Sequence, residues 1–203
     1  MKSTNPDRTL LSRLVLGCVL LTALPAFAAL EAGDKAPDFR TPAALDGRKF
    51  SFSLQEALGR GPVVVYFYPS AYTGGCNLQA HTFAVNHAKF AAAGASVIGV
   101  SLDSIERLAE FSADPEYCAG KIPVASDVDG SVARSFDLSI RDAAAGKKDT
   151  RGLDISHGLA ERTTFIVTPD GRIAATLSGL SPVENVAKSL EFVETLARAR
   201  SSQ

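Results

Sequence analysis

The sequence predicts an α/β domain in which helices cover both faces of a mixed β-sheet. Two apolar runs rich in β-branched and aromatic residues, PVVVYFY at 62–68 and SVIGVS at 96–101, are typical of buried central strands. A segment of helical character follows each run, and a strand pair with one more helix closes the chain. This order of strands and helices favours a sheet that is covered on both sides.

Residues 1–28 predict a secretory signal rather than part of the fold. A basic start precedes the apolar run LVLGCVLLTALPAF, and Ala26-Phe27-Ala28 forms an A-x-A cleavage signature. We expect cleavage after Ala28 and a location in the periplasm or otherwise outside the cytoplasm. Lipid attachment at Cys18, in VLGC, fits less well because a long apolar run follows it.

Residues 29–203 suffice for a single domain with a substantial core. The chain has 21 Lys and Arg against 22 Asp and Glu, a balance that argues against a nucleic-acid or anionic-membrane partner. No other segment is long and apolar enough to span a bilayer. We therefore expect a monomer or homodimer without membrane contact once the signal is removed.

The first elements are extended segments and a long helix. GDKAPDF and TPAALDGRKFSF predict extended chain, with Asp46-Gly47 as a tight turn. From Cys76 to about Ala93 the pattern predicts a helix with Gly94 as its C-cap. Its large apolar side chains are Leu78, Phe83, Val85 and Phe90.

The later elements complete the α/β order. Asp103-Ser104 is expected to cap the helix IERLAEF, KIPVASD predicts a short third strand, and SVARSFD predicts a helical turn. Residues 140–158 are polar and weakly patterned, which indicates a long loop. RTTFIVTPDGRIAATLSG predicts two strands around a Pro-Asp-Gly turn, and an amphipathic helix runs from Pro182 to about Ala197.

Cys76 stands where a buried strand has turned and a helix begins. Free backbone amides and the positive end of the helix dipole stabilise a thiolate there, which is the form that attacks peroxides and disulfides. A cysteine behind Gly74-Gly75 is a poor candidate for core packing. Thr73 can direct its hydroxyl at the sulfur or at a substrate oxygen, and Pro69 can shield the pocket from water.

These residues resemble the P-x-x-x-T-x-x-C signature of the peroxiredoxins, the alkyl hydroperoxide reductase/thiol-specific antioxidant superfamily. Flanking segments are also similar to the family, namely GDKAPDF, VIGVSLDS and ERTTFIVTPDGRI. The resemblance covers about residues 31–195 and is strongest to the bacterioferritin-comigratory or PrxQ-like branch. It implies a thioredoxin-like fold with a central mixed sheet flanked by helices.

The resemblance implies a role for each matching residue. Cys76 would be the peroxidatic cysteine that becomes sulfenic acid, Thr73 would hydrogen-bond the peroxide, and Pro69 would shield the pocket. Arg162 would stabilise the thiolate and the transition state, as a fixed guanidinium near sulfur does. The implied substrates are hydrogen peroxide and organic hydroperoxides, and the implied reductant is a thioredoxin-like protein or a small thiol.

Two positions depart from the branch's usual pattern. Gly74 stands where proline is common, which predicts a looser loop, and Gln79 stands where glutamate is frequent. His81 replaces the resolving cysteine that many members carry five residues after the first one, so that short disulfide cannot form. Neither Gly74 nor Gln79 removes a group that the core chemistry needs.

The sequence leaves open what reduces Cys76 after its oxidation. Cys118, in ADPEYCAGKIP, lies later in the chain than the resolving cysteine of another subset of the branch. It could form an intramolecular disulfide with Cys76, which would require local unwinding. Otherwise an external thiol completes a one-cysteine cycle, or Cys118 serves an intermolecular bridge or a structural purpose.

The histidines predict no further chemistry. His81 and His87 are expected to be solvated helix residues, and His157 lies in the long loop without a visible partner. Histidines, cysteines and carboxylates show no metal-binding spacing, so we expect neither a metal nor a cofactor.

Two other functions fit the pattern less well. A thiol–disulfide oxidoreductase of the same fold needs C-x-x-C, but Thr73 occupies the position three before Cys76. Arg162-Thr163-Thr164 also replaces the proline that such enzymes place before the hairpin strand. A non-enzymatic redox-sensing module is the other alternative, and rapid catalytic peroxide consumption with a thiol reductant would exclude it.

Overall fold

The computed structural model describes residues 29–202, so the predicted signal and Cys18 lie outside the described residues. The strands are β1 Arg40–Leu45, β2 Arg48–Ser53, β3 Val63–Phe67, β4 Ser96–Ser101, β5 Val124–Ser126, β6 Ile140–Arg141, β7 Leu159–Ala160, β8 Thr163–Val167 and β9 Ile173–Ser178. The helices are α1 Leu54–Leu58, α2 Gly74–Ala92, α3 Ile105–Ala113, α4 Ser131–Ser135 and α5 Pro182–Ser201. The elements follow the predicted order.

Seven strands form one mixed sheet in the order β2-β1-β5-β4-β3-β8-β9. The two predicted central strands, β3 and β4, are parallel neighbours, and β5 continues the parallel set. β8 joins the other edge of β3 in the antiparallel direction, with Phe67 opposite Thr163. This pairing places the residue before β8 beside the carboxyl end of β3, where the active-site segment begins.

The core lies on both faces of the sheet because the side chains of β3 alternate between them. Val63, Val65 and Phe67 join one apolar cluster, which also contains residues of α1 and α4. Val64 and Tyr66 join the other cluster, which α2, α3 and α5 cover. The predicted layering is confirmed. Among the described residues, no helix combines the length and apolar character needed to cross a membrane.

Helix α2 begins two residues earlier than the sequence suggested, at Gly74. Ala93 is its C-cap, and Gly94 follows with a φ of +70°, the left-handed conformation that glycine adopts without strain. Phe83 and Phe90 are fully buried, seven residues apart on the face toward the sheet. The predicted helix and its closing glycine are therefore confirmed, with the start shifted toward the active-site segment.

The segment 140–158 and helix α5 also differ slightly from expectation. The segment 140–158 contains no long helix or strand, as predicted, but its first two residues form β6, which pairs with β7 just beyond the segment. α5 extends four residues past Ala197. Arg200 lies in its last turn and donates from Nη2 to the carbonyl oxygen of Ala93 at 3.0 Å, a favourable place for a cation at a helix carboxyl end.

Candidate active site

The segment between β3 and α2, residues 68–73, forms what we call the active-site loop. Thr73 is the N-cap of α2 and has extended backbone, with φ −117° and ψ 144°. Its carbonyl oxygen accepts from the backbone amides of Cys76 at 2.9 Å and Asn77 at 2.8 Å. Cys76 therefore lies in the first turn of α2, where the helix dipole favours negative charge on sulfur, and it is only 2% exposed.

Arg162 meets Cys76 although 86 residues separate them in sequence. It lies directly before β8, and the pairing of β8 with β3 carries it to the start of α2. Its Nη2 donates to Cys76 Sγ at 3.2 Å. A fixed cation at this distance stabilises a thiolate and the charge that develops on an attacked peroxide.

Gly75 makes room for this approach of the arginine. A Cβ atom at that position would lie 3.3 Å from Arg162 Nη2 and 3.6 Å from Pro182 Cγ. At the neighbouring Gly74, an added Cβ would meet no heavy atom within 4 Å. The two glycines of the motif thus differ in function, because only the second one borders the guanidinium.

Two buried amide side chains, Gln79 and Asn185, hold the other side of Arg162, and we call them the relay. Arg162 Nη1 donates to Gln79 Oε1, and Gln79 Nε2 donates to Asn185 Oδ1 at 3.0 Å. Thr164 also donates to Asn185 Oδ1, at 2.7 Å. Because Gln79 is neutral, it orients the guanidinium without adding a negative charge beside it. Sequence reasoning treated Gln79 only as a departure and missed Asn185, although a spacing of three residues places Gln79 beside Cys76 on a helix.

Thr73 and Pro69 occupy the loop positions that the motif assigned to them. Thr73 Oγ1 donates to the carbonyl oxygen of Ser70 at 2.9 Å, so its lone pairs are left to accept a hydrogen bond from a substrate hydroxyl. Pro69 is half-buried and follows the end of β3 by two residues. Their roles toward peroxide stay predictions.

Cys118 lies in the turn between α3 and β5 and is fully buried. It belongs to the same apolar cluster as Cys76, on one face of the sheet, but the two thiols are not bonded to each other. Burial raises the pKa of the Cys118 thiol far above its usual range, with Asp114 adding to the shift. In this conformation Cys118 is a packed thiol rather than a thiolate nucleophile.

The histidines divide differently than the sequence suggested. His81 and His87 are exposed on α2, as expected, although His81 Nδ1 also donates to the carbonyl oxygen of Glu116 at 2.9 Å. The prediction that His157 has no partner is wrong, because its Nε2 lies 2.9 Å from Asp103 Oδ1. The contact joins residues 54 positions apart, which no local pattern reveals.

The predicted cap of α3 and the metal prediction concern other residues. The side chain of Asp103 is fully buried, and Ser104 alone caps α3. Within residues 29–202, no group of His, Cys, Asp and Glu side chains could hold a metal ion.

A mixed sheet with flanking helices that presents a cysteine in the first turn of a helix is the arrangement of thiol proteins of thioredoxin-like fold. Residues 32–176 match the AhpC/TSA family. A Mycobacterium tuberculosis relative that is named as a peroxiredoxin is 38% identical over 159 residues, which cover 78% of this chain and 92% of the relative. The chain therefore belongs to the AhpC/TSA family and is a peroxiredoxin, a thiol-dependent peroxidase.

Solved structures agree with this assignment. The crystal structure of peroxidoxin BcpB from Mycobacterium tuberculosis is similar with a TM-score of 0.68 and 29% identity, over 82% of this chain and 97% of that one. Peroxiredoxin Q from Xanthomonas campestris has a TM-score of 0.61 and 27% identity, over 77% of this chain and 90% of that one. The expected thioredoxin-like fold and PrxQ-like resemblance are confirmed.

Proposed function

We propose that Cys76 is the peroxidatic cysteine and that Arg162 is the cation that activates it. The observation that carries the proposal is the 3.2 Å contact between Arg162 Nη2 and Cys76 Sγ in the first turn of α2. Helix dipole and guanidinium act on the same sulfur, and both favour the thiolate. Among the described residues, Cys118 is the other free cysteine, and it has no such cation in hydrogen-bond contact.

The reaction follows from these contacts. The thiolate of Cys76 attacks one peroxide oxygen, so that an S–O bond forms while the O–O bond breaks. The sulfur is oxidised to sulfenic acid, and the leaving oxygen takes up a proton and departs as water or an alcohol. Arg162 stabilises the negative charge that builds on the oxygens, and the Thr73 hydroxyl accepts the hydrogen bond of the peroxide. Pro69 limits access of water to the sulfur.

The substrates of this site are hydrogen peroxide and organic hydroperoxides. Both share the O–O–H group that Cys76, Thr73 and Arg162 address, and neither needs a metal or cofactor for attack by a thiolate. One similar solved structure, the Xanthomonas campestris bacterioferritin comigratory protein, is described in terms of alkyl peroxide reduction and is 27% identical. That likeness supports organic hydroperoxides as substrates of this chain as well.

Cys118 completes the cycle by resolving the sulfenic acid. Its thiol displaces hydroxide from the sulfur of Cys76, which releases water and forms a disulfide. The turn that carries Cys118 contains the left-handed residues Ala119 and Gly120 and must unwind locally before the sulfurs reach bonding distance. A thioredoxin-like dithiol or two small thiols then reduce the disulfide to two thiols. The enzyme works as a monomer or as a homodimer.

Mass spectrometry after one equivalent of peroxide tests both steps. Wild-type enzyme should give a Cys76–Cys118 disulfide, and Cys118→Ser should give sulfenic acid on Cys76. Cys76→Ser should abolish peroxide consumption, while Cys118→Ser should still complete the first turnover. Full activity of Cys76→Ser would refute the proposed nucleophile, and sulfenic acid in both the wild type and Cys118→Ser would refute the resolving role.

The enzyme acts outside the cytoplasm, where residues 1–28 direct it by their A-x-A-terminated apolar segment. Amino-terminal sequencing of the protein from a periplasmic fraction should begin at Ala29. An uncleaved chain in the cytoplasmic fraction would contradict this location.

A further inference from the structure

The active-site loop is held by side chains from distant segments rather than by regular secondary structure. The backbone amide of Ala71 donates to Asp103 Oδ2 at 2.8 Å, and the carbonyl oxygen of Ala71 accepts from Arg107 Nη2 at 2.9 Å. The carbonyl oxygen of Tyr72 accepts from both the amide and the hydroxyl of Thr150, at 2.8 and 2.9 Å. These residues directly precede Thr73, so whatever fixes them also fixes the N-cap of α2.

Asp103 is the centre of this arrangement. Its carboxylate is fully buried and also accepts from the hydroxyls of Ser70 at 3.0 Å and Ser101 at 2.7 Å. Arg107 Nε lies 2.8 Å from Asp103 Oδ1, an ion pair without hydrogen-bond alignment. Burial alone would raise the pKa of Asp103, but His157 and the other donors lower it below its usual value. A buried carboxylate of this kind stays in place only while its partners are present.

The segment 140–158 reaches the same loop through Asp149. Its buried carboxylate pairs with Arg107 Nη2 at 2.8 Å, so one guanidinium joins Asp103, Ala71 and the long segment. Arg151 stacks on the ring of Tyr72 with its Cζ 3.4 Å from the ring centre, and it pairs with Glu110 at 3.0 Å. The segment is therefore a cover on the active-site loop and is tied to it by charged groups.

The segment 140–158 holds Tyr72 in a strained backbone conformation. Its φ of +58° places a bulky residue in the left-handed region, which such residues avoid unless their surroundings impose it. Thr150 holds its carbonyl oxygen, and Arg151 holds its ring. Loss of these contacts would let Tyr72 relax and would move the following Thr73.

The neighbours of His157 favour its protonated form. Its Nδ1 faces the carbonyl oxygen of Gly158 at 2.8 Å, and its Nε2 faces Asp103 Oδ1 at 2.9 Å. Both partners only accept hydrogen bonds, and a neutral imidazole can donate only one. A third group, the hydroxyl of Ser70, lies 3.3 Å from Nε2 and can donate or accept. Burial and the charge of Arg107 lower the pKa of His157, but Asp103 and the carbonyl of Gly158 outweigh them and raise it.

Four charged side chains thus hold the active-site loop, and we call them the clamp: Asp103, Arg107, Asp149 and His157. We propose that the clamp positions Thr73 and Cys76 for reaction with peroxide, and that proton loss from His157 loosens it. The proposal rests on the proposed function of Cys76. The four members of the clamp are positioning residues, because they act on the active-site loop and do not touch the sulfur of Cys76.

The charges around His157 make the clamp sensitive to pH. Asp103 and Arg107 face its ring directly, and Asp142 and Asp154 line the pocket beside it in the segment 140–158. Once His157 is neutral, one ring nitrogen carries a lone pair and no longer donates to its acceptor. If that nitrogen is Nε2, the Ser70 hydroxyl can donate to it, and Asp103 then loses the donors His157 and Ser70. At least one of the two contacts then breaks, and the link between the long segment and Asp103 weakens.

The test compares His157→Gln with wild type across pH. Glutamine keeps one donor for Asp103 and cannot become a cation, so the variant resembles neutral His157 at every pH. His87→Gln, on the exposed face of α2, is the matched control. Because the chain has no tryptophan, the rate of Cys76 oxidation by hydrogen peroxide is followed by quenched flow and mass spectrometry from about pH 5 to about pH 9.

The ratio of the wild-type rate to the His157→Gln rate isolates the clamp, because other effects of pH on the reaction act on both proteins alike. The ratio should be about two- to tenfold at low pH, as loss of one hydrogen bond implies. It should fall toward unity through a midpoint above the ordinary histidine pKa of about 6.5, while the His87→Gln ratio stays at unity. A His157→Gln ratio that does not change with pH would overturn the proposal, because a merely structural defect gives a constant ratio.

Amide hydrogen exchange keeps the clamp testable apart from catalysis. Exchange in a peptide covering residues 69–76, corrected for the intrinsic effect of pH, should rise in wild type as His157 loses its proton. It should be fast at every pH in His157→Gln. Equal protection in both proteins at all pH values would refute the clamp. A wild type that protects this peptide but consumes no peroxide would refute the proposed function and leave the clamp standing.

Discussion

Replacing Arg162 by alanine is the sharpest test of the active site, because this residue meets the sulfur and the buried relay at once. The change removes the donor 3.2 Å from Cys76 Sγ and also leaves Gln79 Oε1 without the N–H that it accepts. The first loss acts on the reaction with peroxide, and the second acts on the stability of the fold. The two effects are measured separately.

The magnitudes follow from the kind of interaction that is lost. A hydrogen bond to a charged group contributes about 1.5–3 kcal/mol, and each 1.36 kcal/mol corresponds to about a factor of ten in rate. We expect the rate constant for Cys76 oxidation to fall about 10- to 150-fold. The unsatisfied oxygen of Gln79 should lower the free energy of unfolding by about 1–3 kcal/mol. Arg162→Lys should restore only part of the rate, because lysine lacks the planar guanidinium whose two terminal nitrogens reach Cys76 Sγ and Gln79 Oε1 together.

The assay is quenched flow with hydrogen peroxide, with unfolding by denaturant measured on the same preparations. Arg48→Ala is the matched control, because the side chain of Arg48 is 88% exposed at the far edge of the sheet. It should match wild type in both measurements. A folded Arg162→Ala enzyme that oxidises within about twofold of the wild-type rate would show that the contact with sulfur does not serve catalysis.

Three further predictions test neighbouring parts of the structure. Gly74→Ala should stabilise α2 by up to about 1 kcal/mol and leave the oxidation rate unchanged, whereas Gly75→Ala should slow oxidation, since its Cβ crowds the guanidinium; equal rates in the two would contradict this. Gln79→Leu should cost about 1–3 kcal/mol of stability in denaturant unfolding, because it removes the buried amide that joins half-buried Arg162 to Asn185; an unchanged midpoint would refute the relay. The raised pKa of His157 stabilises the fold fully below about pH 6.5. That contribution should disappear as the pH rises through the folded value, and His157→Gln should unfold without this alkaline decline.

The sequence predicts best what is local in the chain. The buried strand β3, the turn at Asp46-Gly47 and the helix around Cys76 each follow from a short pattern, and all three are present in the structure. The position of Arg162 beside Cys76 is long-range, and it follows from the resemblance to the peroxiredoxins, because physical patterns alone do not pair these residues.

Contacts between distant segments without a motif could not be predicted. The pairing of His157 with Asp103 and that of Gln79 with Asn185 depend on how loops and helices dock. In sequence, no motif or periodic pattern marks any of these polar residues as buried. The exposure of Leu78 could not be predicted either: its side chain is 45% exposed, although it is one of the large apolar residues of α2. It lies on the face away from the sheet, and helix orientation is set by the fold.

The clamp and the proposed resolving step make opposite demands on the same residues. Tyr72 packs against Tyr117, the neighbour of Cys118, with ring centres 5.7 Å apart. When the turn around Cys118 unwinds, Tyr72 loses this contact but keeps those with Thr150, Arg151 and Phe111. Release of the clamp should therefore favour disulfide formation while it slows peroxide attack. If Cys118 resolves the sulfenic acid as proposed, Tyr72 joins the two half-reactions, because it lies in the active-site loop and packs against the neighbour of Cys118.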